Sequence, residues 1–126
     1  MTKNTSRLLE VLDAARSPVA VADLARAMEG TCDLATLYRT LRRLESTGLV
    51  ESFAFECRKR GIERYWQRRS STHRHFFHCE SCHRFLDVGA CRLSALTREV
   101  ARELGAEIQG HTLYFTGTCA DCRSSP

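Results

Sequence analysis

Residues 33–44 read DLATLYRTLRRL, and this stretch decides how the N-terminal half of the chain folds. Its leucines recur every three or four residues, which is the spacing of one apolar helical face. Asp33 stands where a helix N-cap is expected, and Gly48 follows the end of the pattern. The stretch therefore predicts a helix with a leucine stripe. Its other side carries Thr36, Tyr38, Arg39, Arg42 and Arg43.

Two shorter helices are predicted before this one and two strands after it. Apolar residues recur at helical spacing over residues 8–15 and 21–28, and the pair Ser17-Pro18 separates the two runs. β-rich runs over residues 49–55 and 62–66 flank a charged turn. Three helices followed by a strand, a basic turn and a strand are the order of a winged helix.

The charge of the chain is concentrated in this half. The chain has 126 residues, with 19 Lys plus Arg against 15 Asp plus Glu and a net charge of +4. Residues 1–70 carry 13 basic and 9 acidic side chains, whereas the remainder has six of each. A charged helix face can simply be solvated, but helix order, charge segregation and a basic turn together favour DNA binding. The predicted contacts are Thr36, Tyr38, Arg39, Arg42, Arg58, Lys59 and Arg60.

Two C-x-x-C pairs dominate the C-terminal half. Cys79 and Cys82 form the first pair, Cys119 and Cys122 form the second, and 36 residues separate the pairs. Two such pairs supply the tetrahedral Cys₄ shell of a structural Zn²⁺. The alternative is a redox pair or disulfides, which a thioredoxin-like βαβ pattern would accompany, and that pattern is missing here. The spacing therefore predicts a structural zinc site.

A second group of possible metal ligands surrounds these pairs. His73 and His75 lie two residues apart on an extended segment, so their imidazoles face the same side. The other candidate donors for a regulatory metal are Asp87, Cys91 and His111. His83 is interpreted as a hydrogen-bonded or surface residue, whereas the role of His78 stays open between such a residue and a ligand.

The remaining pattern of this half predicts a small α/β unit. A strand is expected over residues 84–88, a helix over residues 91–104 with Leu93, Leu96, Val100 and Leu104 inward, and a strand over residues 112–118. A unit of this size leaves apolar surface uncovered, which dimerisation would cover. We therefore predict an α+β protein with a winged-helix DNA-binding domain at residues 1–69 and a metal-binding dimerisation domain at residues 70–126.

Several functional classes are disfavoured by the sequence. The N-terminus lacks a signal-peptide pattern and no apolar run approaches the length of a membrane span, so we expect a cytoplasmic protein without membrane association. An H-E-x-x-H motif, a nucleophile elbow and a Gly-rich phosphate loop are all missing. We therefore expect a binding protein and not an enzyme.

At these motifs the chain resembles the ferric uptake regulator family of metal-responsive repressors. The resemblance runs from about residue 7 to residue 123, and its most specific parts are residues 33–41 (DLATLYRTL), residues 110–115 (GHTLYF) and the two C-x-x-C pairs. It implies a homodimer in which a regulatory ion closes the DNA-binding domains onto an A·T-rich palindromic operator upstream of metal-acquisition genes. It also implies that Tyr38 and Arg39 lead the DNA contacts and that the H-x-H pair, Asp87 and His111 are ligands.

The identity of the regulatory metal is predicted from departures from the family pattern. Trp66 stands near the position of an acidic ligand in many relatives, and Ser94 stands where a helix Glu often ligates. Cys91, one helical turn earlier, could substitute for that Glu. Imidazole and thiolate donors favour Zn²⁺ over Fe²⁺ or Mn²⁺, so a zinc-uptake regulator is expected. An iron- or manganese-responsive regulator and a peroxide or redox sensor of the same fold are the alternatives.

Overall fold

The structure, a computed structural model, describes residues 2–70 and 73–124 and consists of two compact units, Met1–Ser70 and Ser71–Pro126. Each unit combines helices with a three-stranded sheet, which confirms the α+β prediction. Within the described residues, all helices are too short or too polar to cross a bilayer.

The N-terminal unit is a winged helix. Its elements are α1 (Lys3–Ala15), β1 (Val19–Ala20), α2 (Val21–Ala27), α3 (Leu34–Ser46), β2 (Val50–Cys57) and β3 (Gly61–Arg68). The strands are antiparallel in the order β1-β3-β2, and the two-residue strand β1 was not predicted. The hairpin of β2 and β3 places the predicted basic turn at its tip, where Gly61 has a φ of 78°. A positive φ is accessible to Gly at little cost, so the turn can close directly into β3.

The start of α3 is fixed by its cap and its core residues. The carboxylate of Asp33 accepts a hydrogen bond from the backbone N–H of Thr36 at 2.8 Å, as the N-cap prediction requires. Leu37, Leu41 and Leu44 are buried in the core between the helices and the sheet. Leu34 is 54% exposed, because this first residue of the helix lies beyond the edge of the core. Three leucines of the stripe therefore anchor α3, and the Arg-bearing side faces outward.

The C-terminal unit is built around a central strand. Its elements are β4 (Arg74–Cys79), β5 (Phe85–Ala90), α4 (Ser94–Leu104), β6 (Phe115–Gly117) and α5 (Ala120–Ser124). The sheet order is β5-β4-β6, with β4 antiparallel to β5 and parallel to β6. The helix begins three residues later than predicted, β6 is shorter than predicted, and α5 was not predicted.

The prediction that α4 packs its leucines inward is wrong for the single chain. Leu96 and Leu104 are 53% and 71% exposed, and Phe115 on β6 is 47% exposed. No residue of α4 is fully buried. The 3.6-residue periodicity identified an apolar face correctly, but the small sheet of one chain does not cover it. Such a face is typical of a unit that associates with another chain.

Candidate functional site

The four cysteines of the two C-x-x-C pairs lie together. Cys79 ends β4, Cys82 follows in the next turn, Cys119 precedes α5, and Cys122 lies within α5. All four sulfurs lie within 4.8 Å of one another, and the Sγ atoms of Cys82 and Cys119 are 3.8 Å apart. Four sulfurs at about 2.3 Å from a zinc ion in tetrahedral geometry would stand about 3.8 Å apart. The spacing of the sulfurs therefore fits Zn²⁺.

The backbone around these cysteines favours thiolates. The N–H groups of Cys82 and Cys119 donate to Cys79 Sγ at 3.5 and 3.3 Å and lower the pKa of that thiol to about 5. A hydrogen bond from Arg84 lowers the pKa of Cys119, whereas the neighbouring Cys119 sulfur raises the pKa of Cys122 to about 12. A cation among the sulfurs would allow all four to be deprotonated, since metal binding releases thiol protons.

A second donor cluster lies beside the start of β4. It is formed by His73, His75, Cys91 and His111, whose ligand atoms also lie within 4.8 Å of one another. His111 Nε2 is 2.9 Å from His73 Nε2, 3.0 Å from His75 Nε2 and 3.4 Å from Cys91 Sγ. One ring nitrogen carries either a proton or a lone pair, so it cannot form three hydrogen bonds at once. Convergence of four donor atoms on one point is the arrangement that a tetrahedral metal ion satisfies.

The orientation of His75 is set by a carbonyl group. His75 Nδ1 lies 2.9 Å from the backbone oxygen of Leu113, so Nδ1–H donates and Nε2 keeps its lone pair toward the cluster. His75 is buried, and desolvation of its ring lowers its pKa below the usual value for His. Burial favours the neutral imidazole, which is the form that binds metal, and the carbonyl fixes its tautomer and direction.

Asp87, the fifth predicted ligand, is not brought into this cluster. One carboxylate oxygen accepts from Arg74 Nη1 at 2.9 Å, and the other accepts from the backbone N–H of Gly89 at 2.7 Å. Gly89 has a φ of 90° and lies where the β4–β5 register shifts, with an extra residue on β5. The carboxylate therefore stabilises a bulge. The cluster contains three imidazoles and one thiol in place of a carboxylate.

The predicted DNA-contacting residues lie on the outer side of α3 and at the hairpin tip. Tyr38 is 41% exposed, and Arg39 and Arg42 are exposed on the same helix. Arg39 Nη2 donates to the half-buried Thr36 hydroxyl at 3.1 Å, which holds the guanidinium beside the helix start. Arg58, Lys59 and Arg60 are exposed at the tip.

A basic cleft lies between the start of α1 and the outer face of α3. Its volume is about 560 Å³. It is lined by Thr2, Asn4, Thr36, Arg39, Thr40, Arg42 and Arg43. Arg43 Nη2 donates to the Thr5 hydroxyl at 2.7 Å and so links the two helices. Three guanidinium groups and hydroxyl and amide side chains, with no acidic lining residue, fit an anionic partner such as a phosphate.

Comparison with known proteins identifies the family. The model of the ferric uptake regulator family matches residues 1–116. The chain belongs to the ferric uptake regulator family. The zinc uptake regulation protein of Mycobacterium tuberculosis is 37% identical over 119 residues, which are 94% of this chain and 88% of that protein. The ferric uptake regulation protein of Escherichia coli is 31% identical over 130 residues and covers 96% of this chain and 85% of that protein.

A solved structure of this family shares the fold. The ferric uptake regulator of Francisella tularensis with iron superimposes with a TM-score of 0.80 at 19% identity, over 98% of this chain and 94% of that chain. As a ferric uptake regulator family member, the chain is a metal-responsive, DNA-binding transcriptional regulator that binds metal and forms dimers. The exposed apolar face of α4 and β6 is consistent with such dimers.

Three contributions to the sites of this family member were missed in the sequence. The Leu113 carbonyl orients His75, Arg74 holds Asp87 away from the cluster, and Arg84 donates to Cys119. The contact from the Leu113 carbonyl could not be predicted, because every residue has a backbone carbonyl whatever its side chain. Arg74 and Arg84 lie near predicted ligands in the sequence, but this proximity does not reveal which side chains they contact.

Proposed function

We propose that this protein is a zinc-responsive repressor that uses His73, His75, Cys91 and His111 as its regulatory site. The observation that carries the proposal is the convergence of three Nε2 atoms and one Sγ atom within 4.8 Å. A bound ion there would neutralise the thiolate and join segments that are up to 38 residues apart in the chain.

The donor set supports zinc as the regulatory ion. Imidazole and thiolate bind Zn²⁺ well, whereas Mn²⁺ and Fe²⁺ sites more often include carboxylate oxygen. Asp87, the nearest predicted source of such oxygen, is engaged with Arg74 and Gly89. The zinc uptake regulation protein of Mycobacterium tuberculosis, at 37% identity, supports the same choice. Iron and manganese are the alternatives that the experiment below separates.

We assign a structural zinc ion to Cys79, Cys82, Cys119 and Cys122. Four protein sulfurs fill the tetrahedral shell, so this site has no open position for a substrate. The same holds for the regulatory site with its four donors, which supports a regulator without enzymatic activity. The structural site joins the end of the chain to β4, which supports stability in a unit of about 55 residues.

DNA binding is assigned to the N-terminal domain, residues 1–69, and dimerisation to residues 70–126. Tyr38 and Arg39 lead the contacts to the DNA, with Thr36 and Arg42 on the same helix and Arg58, Lys59 and Arg60 on the wing. Two copies in a dimer present two recognition helices, which suits a palindromic operator. We take the A·T-rich character of the operator and the cytoplasmic location from the resemblance to the family. Three of the four α3 residues line the basic cleft, which supports phosphate contacts there.

The test is a metal titration with matched variants. The metal content of the purified protein is measured first, and Zn²⁺, Fe²⁺ and Mn²⁺ are then titrated into an operator-binding assay. We expect Zn²⁺ to restore DNA binding at the lowest free concentration. Cys91→Ser should weaken the zinc response at least about tenfold, while Asp87→Asn should leave it unchanged. Equal responses of Cys91→Ser and the unaltered protein would refute the assigned site, and a stronger response to iron or manganese would refute the choice of zinc.

A further inference from the structure

Arg84 contacts the Cys₄ cluster from outside its sulfur shell. Its Nη2 atom donates to Cys119 Sγ at 3.4 Å and to Asp121 Oδ2 at 3.0 Å. The Arg84 carbonyl oxygen accepts from the Cys79 backbone N–H at 3.0 Å. One residue thus holds the first C-x-x-C turn by its backbone and the second by its side chain.

Charge explains why a guanidinium is suited to this position. Four thiolates around Zn²⁺ carry a net charge of −2, and Cys82 and Cys119, whose sulfurs are 3.8 Å apart, bring two of these charges close together. A guanidinium hydrogen bond to a thiolate reduces this charge and fixes the direction of the sulfur lone pair. Outer groups of this kind commonly change metal affinity by about 10- to 100-fold.

The ion pair between Arg84 and Asp121 contributes too little free energy to hold the Arg84 side chain in place by itself. The side chains of Arg84 and Asp121 are 51% and 84% exposed, and exposed ion pairs contribute little to stability. Cys119, in contrast, is buried, so its sulfur depends on protein donors in place of water. The Cys119 sulfur is therefore the partner for which the guanidinium matters, and Asp121 orients the arginine.

We propose that Arg84 is a positioning residue that retains the structural zinc by donating to the Cys119 thiolate. This inference rests on the zinc site assigned under the proposed function. Arg84 lies outside the ligand set, and its role is to slow the release of zinc and to protect the sulfur shell from competing chelators.

The experiment compares zinc release from the dimer of the 126-residue chain. The proteins are Arg84→Gln, Arg84→Lys, Asp121→Asn and Arg123→Gln, beside the unaltered chain. Arg123→Gln removes one positive charge from the same short helix that holds Cys122, and it serves as the matched control. Excess 4-(2-pyridylazo)resorcinol is added, and the slow phase of zinc transfer is followed by absorbance.

We expect Arg84→Gln to release the structural zinc about 10- to 100-fold faster than the unaltered chain. Arg84→Lys should be intermediate, because an ammonium keeps the charge but not the planar fork. Arg123→Gln should match the unaltered chain, and Asp121→Asn should have the smaller effect. Equal release by Arg84→Gln and Arg123→Gln, or equal acceleration by Asp121→Asn and Arg84→Gln, would overturn the inference.

A spectroscopic readout separates this role from general loosening of the fold. Co²⁺ in the Cys₄ site gives a thiolate-to-cobalt charge-transfer band, whose energy should shift when the hydrogen bond to Cys119 is lost. A band that only loses intensity in Arg84→Gln and Arg84→Lys would count against the inference. If the unaltered chain holds no zinc on these cysteines, the proposed structural site itself fails, and this outcome is distinct from the others.

Discussion

The Nδ1 atom of His75 lies 2.9 Å from the carbonyl oxygen of Leu113, and this contact aims Nε2 at three other donor atoms. The carbonyl belongs to the segment just before β6, and His75 lies on β4. The orientation of a proposed metal ligand is thereby coupled to the folded position of the segment that also carries His111.

Replacing His75 by Gln should weaken the regulatory metal site strongly. The amide can still donate to the Leu113 carbonyl, but it lacks a ring nitrogen directed at the cluster. We expect at least about tenfold weaker zinc binding at this site, with the structural zinc retained. Isothermal titration of zinc into protein that already holds the structural ion measures this change. His75→Gln with unaltered affinity would remove His75 from the ligand set.

Replacing Cys82 by Ser should destabilise the C-terminal unit itself. One thiolate of the proposed Cys₄ shell is lost, and structural zinc contributes directly to the folding of small units. We expect about one zinc ion fewer per chain and a clearly lower thermal midpoint. Cys32→Ser is the matched control, because it removes a half-buried thiol that lies outside both proposed metal sites. Equal thermal midpoints for the two variants would contradict the structural role.

Replacing Arg42 by Gln should weaken DNA binding without changing sequence preference. Arg42 lines the basic cleft, where a phosphate contact is expected. Log affinity falls with log salt concentration, and each lost phosphate contact makes this slope shallower by about 0.9. Fluorescence anisotropy with operator and scrambled duplexes at several salt concentrations measures both effects. Arg102→Gln, an exposed arginine on α4, provides the control, and a changed base preference in Arg42→Gln would point to base contacts instead.

Asp33 should make the N-terminal unit sensitive to acid. Hydrogen bonds from Thr36 lower the pKa of Asp33 below its ordinary value, so the folded state favours the carboxylate. The stabilisation that the Asp33 carboxylate gives to the folded state is complete above the pKa of Asp33 in the unfolded chain, about 3.9. It is lost as the pH falls through the lower pKa that Asp33 has in the folded state. Asp33→Asn keeps a capping oxygen but does not titrate, so its stability should change less between pH 5 and pH 2. Circular dichroism of α-helix content during acid titration measures the difference, and parallel curves for both proteins would refute the prediction.

The sequence predicted the winged helix well because local signals and tertiary packing agree there. The Asp33 cap, the leucines of α3 and the glycine turn each act over a few residues. In the C-terminal unit, the spacing of the cysteines predicted their convergence, since the C-x-x-C turn directs both sulfurs to one side. The strand β1 and helix α5 were not predicted, because elements of two and five residues are too short for a periodic pattern.

The long-range parts of the candidate site could not be predicted from residue types. His111 reaches His73 across 38 residues, and the pairing of β6 with β4 and the contact of His75 with Leu113 bring the two segments together. The sequence grouped Asp87 with the histidine ligands, but its carboxylate lies outside that cluster because it accepts hydrogen bonds from Arg74 and from the Gly89 N–H in the bulge. The leucines of α4 were predicted to lie inward but are exposed in the single chain. Helical periodicity shows that one face is apolar, but it does not show whether the same chain or a second chain covers that face.

Strand β4 supplies donors to both proposed metal centres, with His75 near one end and Cys79 at the other. The four-residue separation places both side chains on the same side of the sheet and spans about 13 Å. Adding or deleting one residue between them would turn one donor to the opposite side. Substitutions of the residues between His75 and Cys79 can therefore be tolerated where a change in the length of the strand cannot.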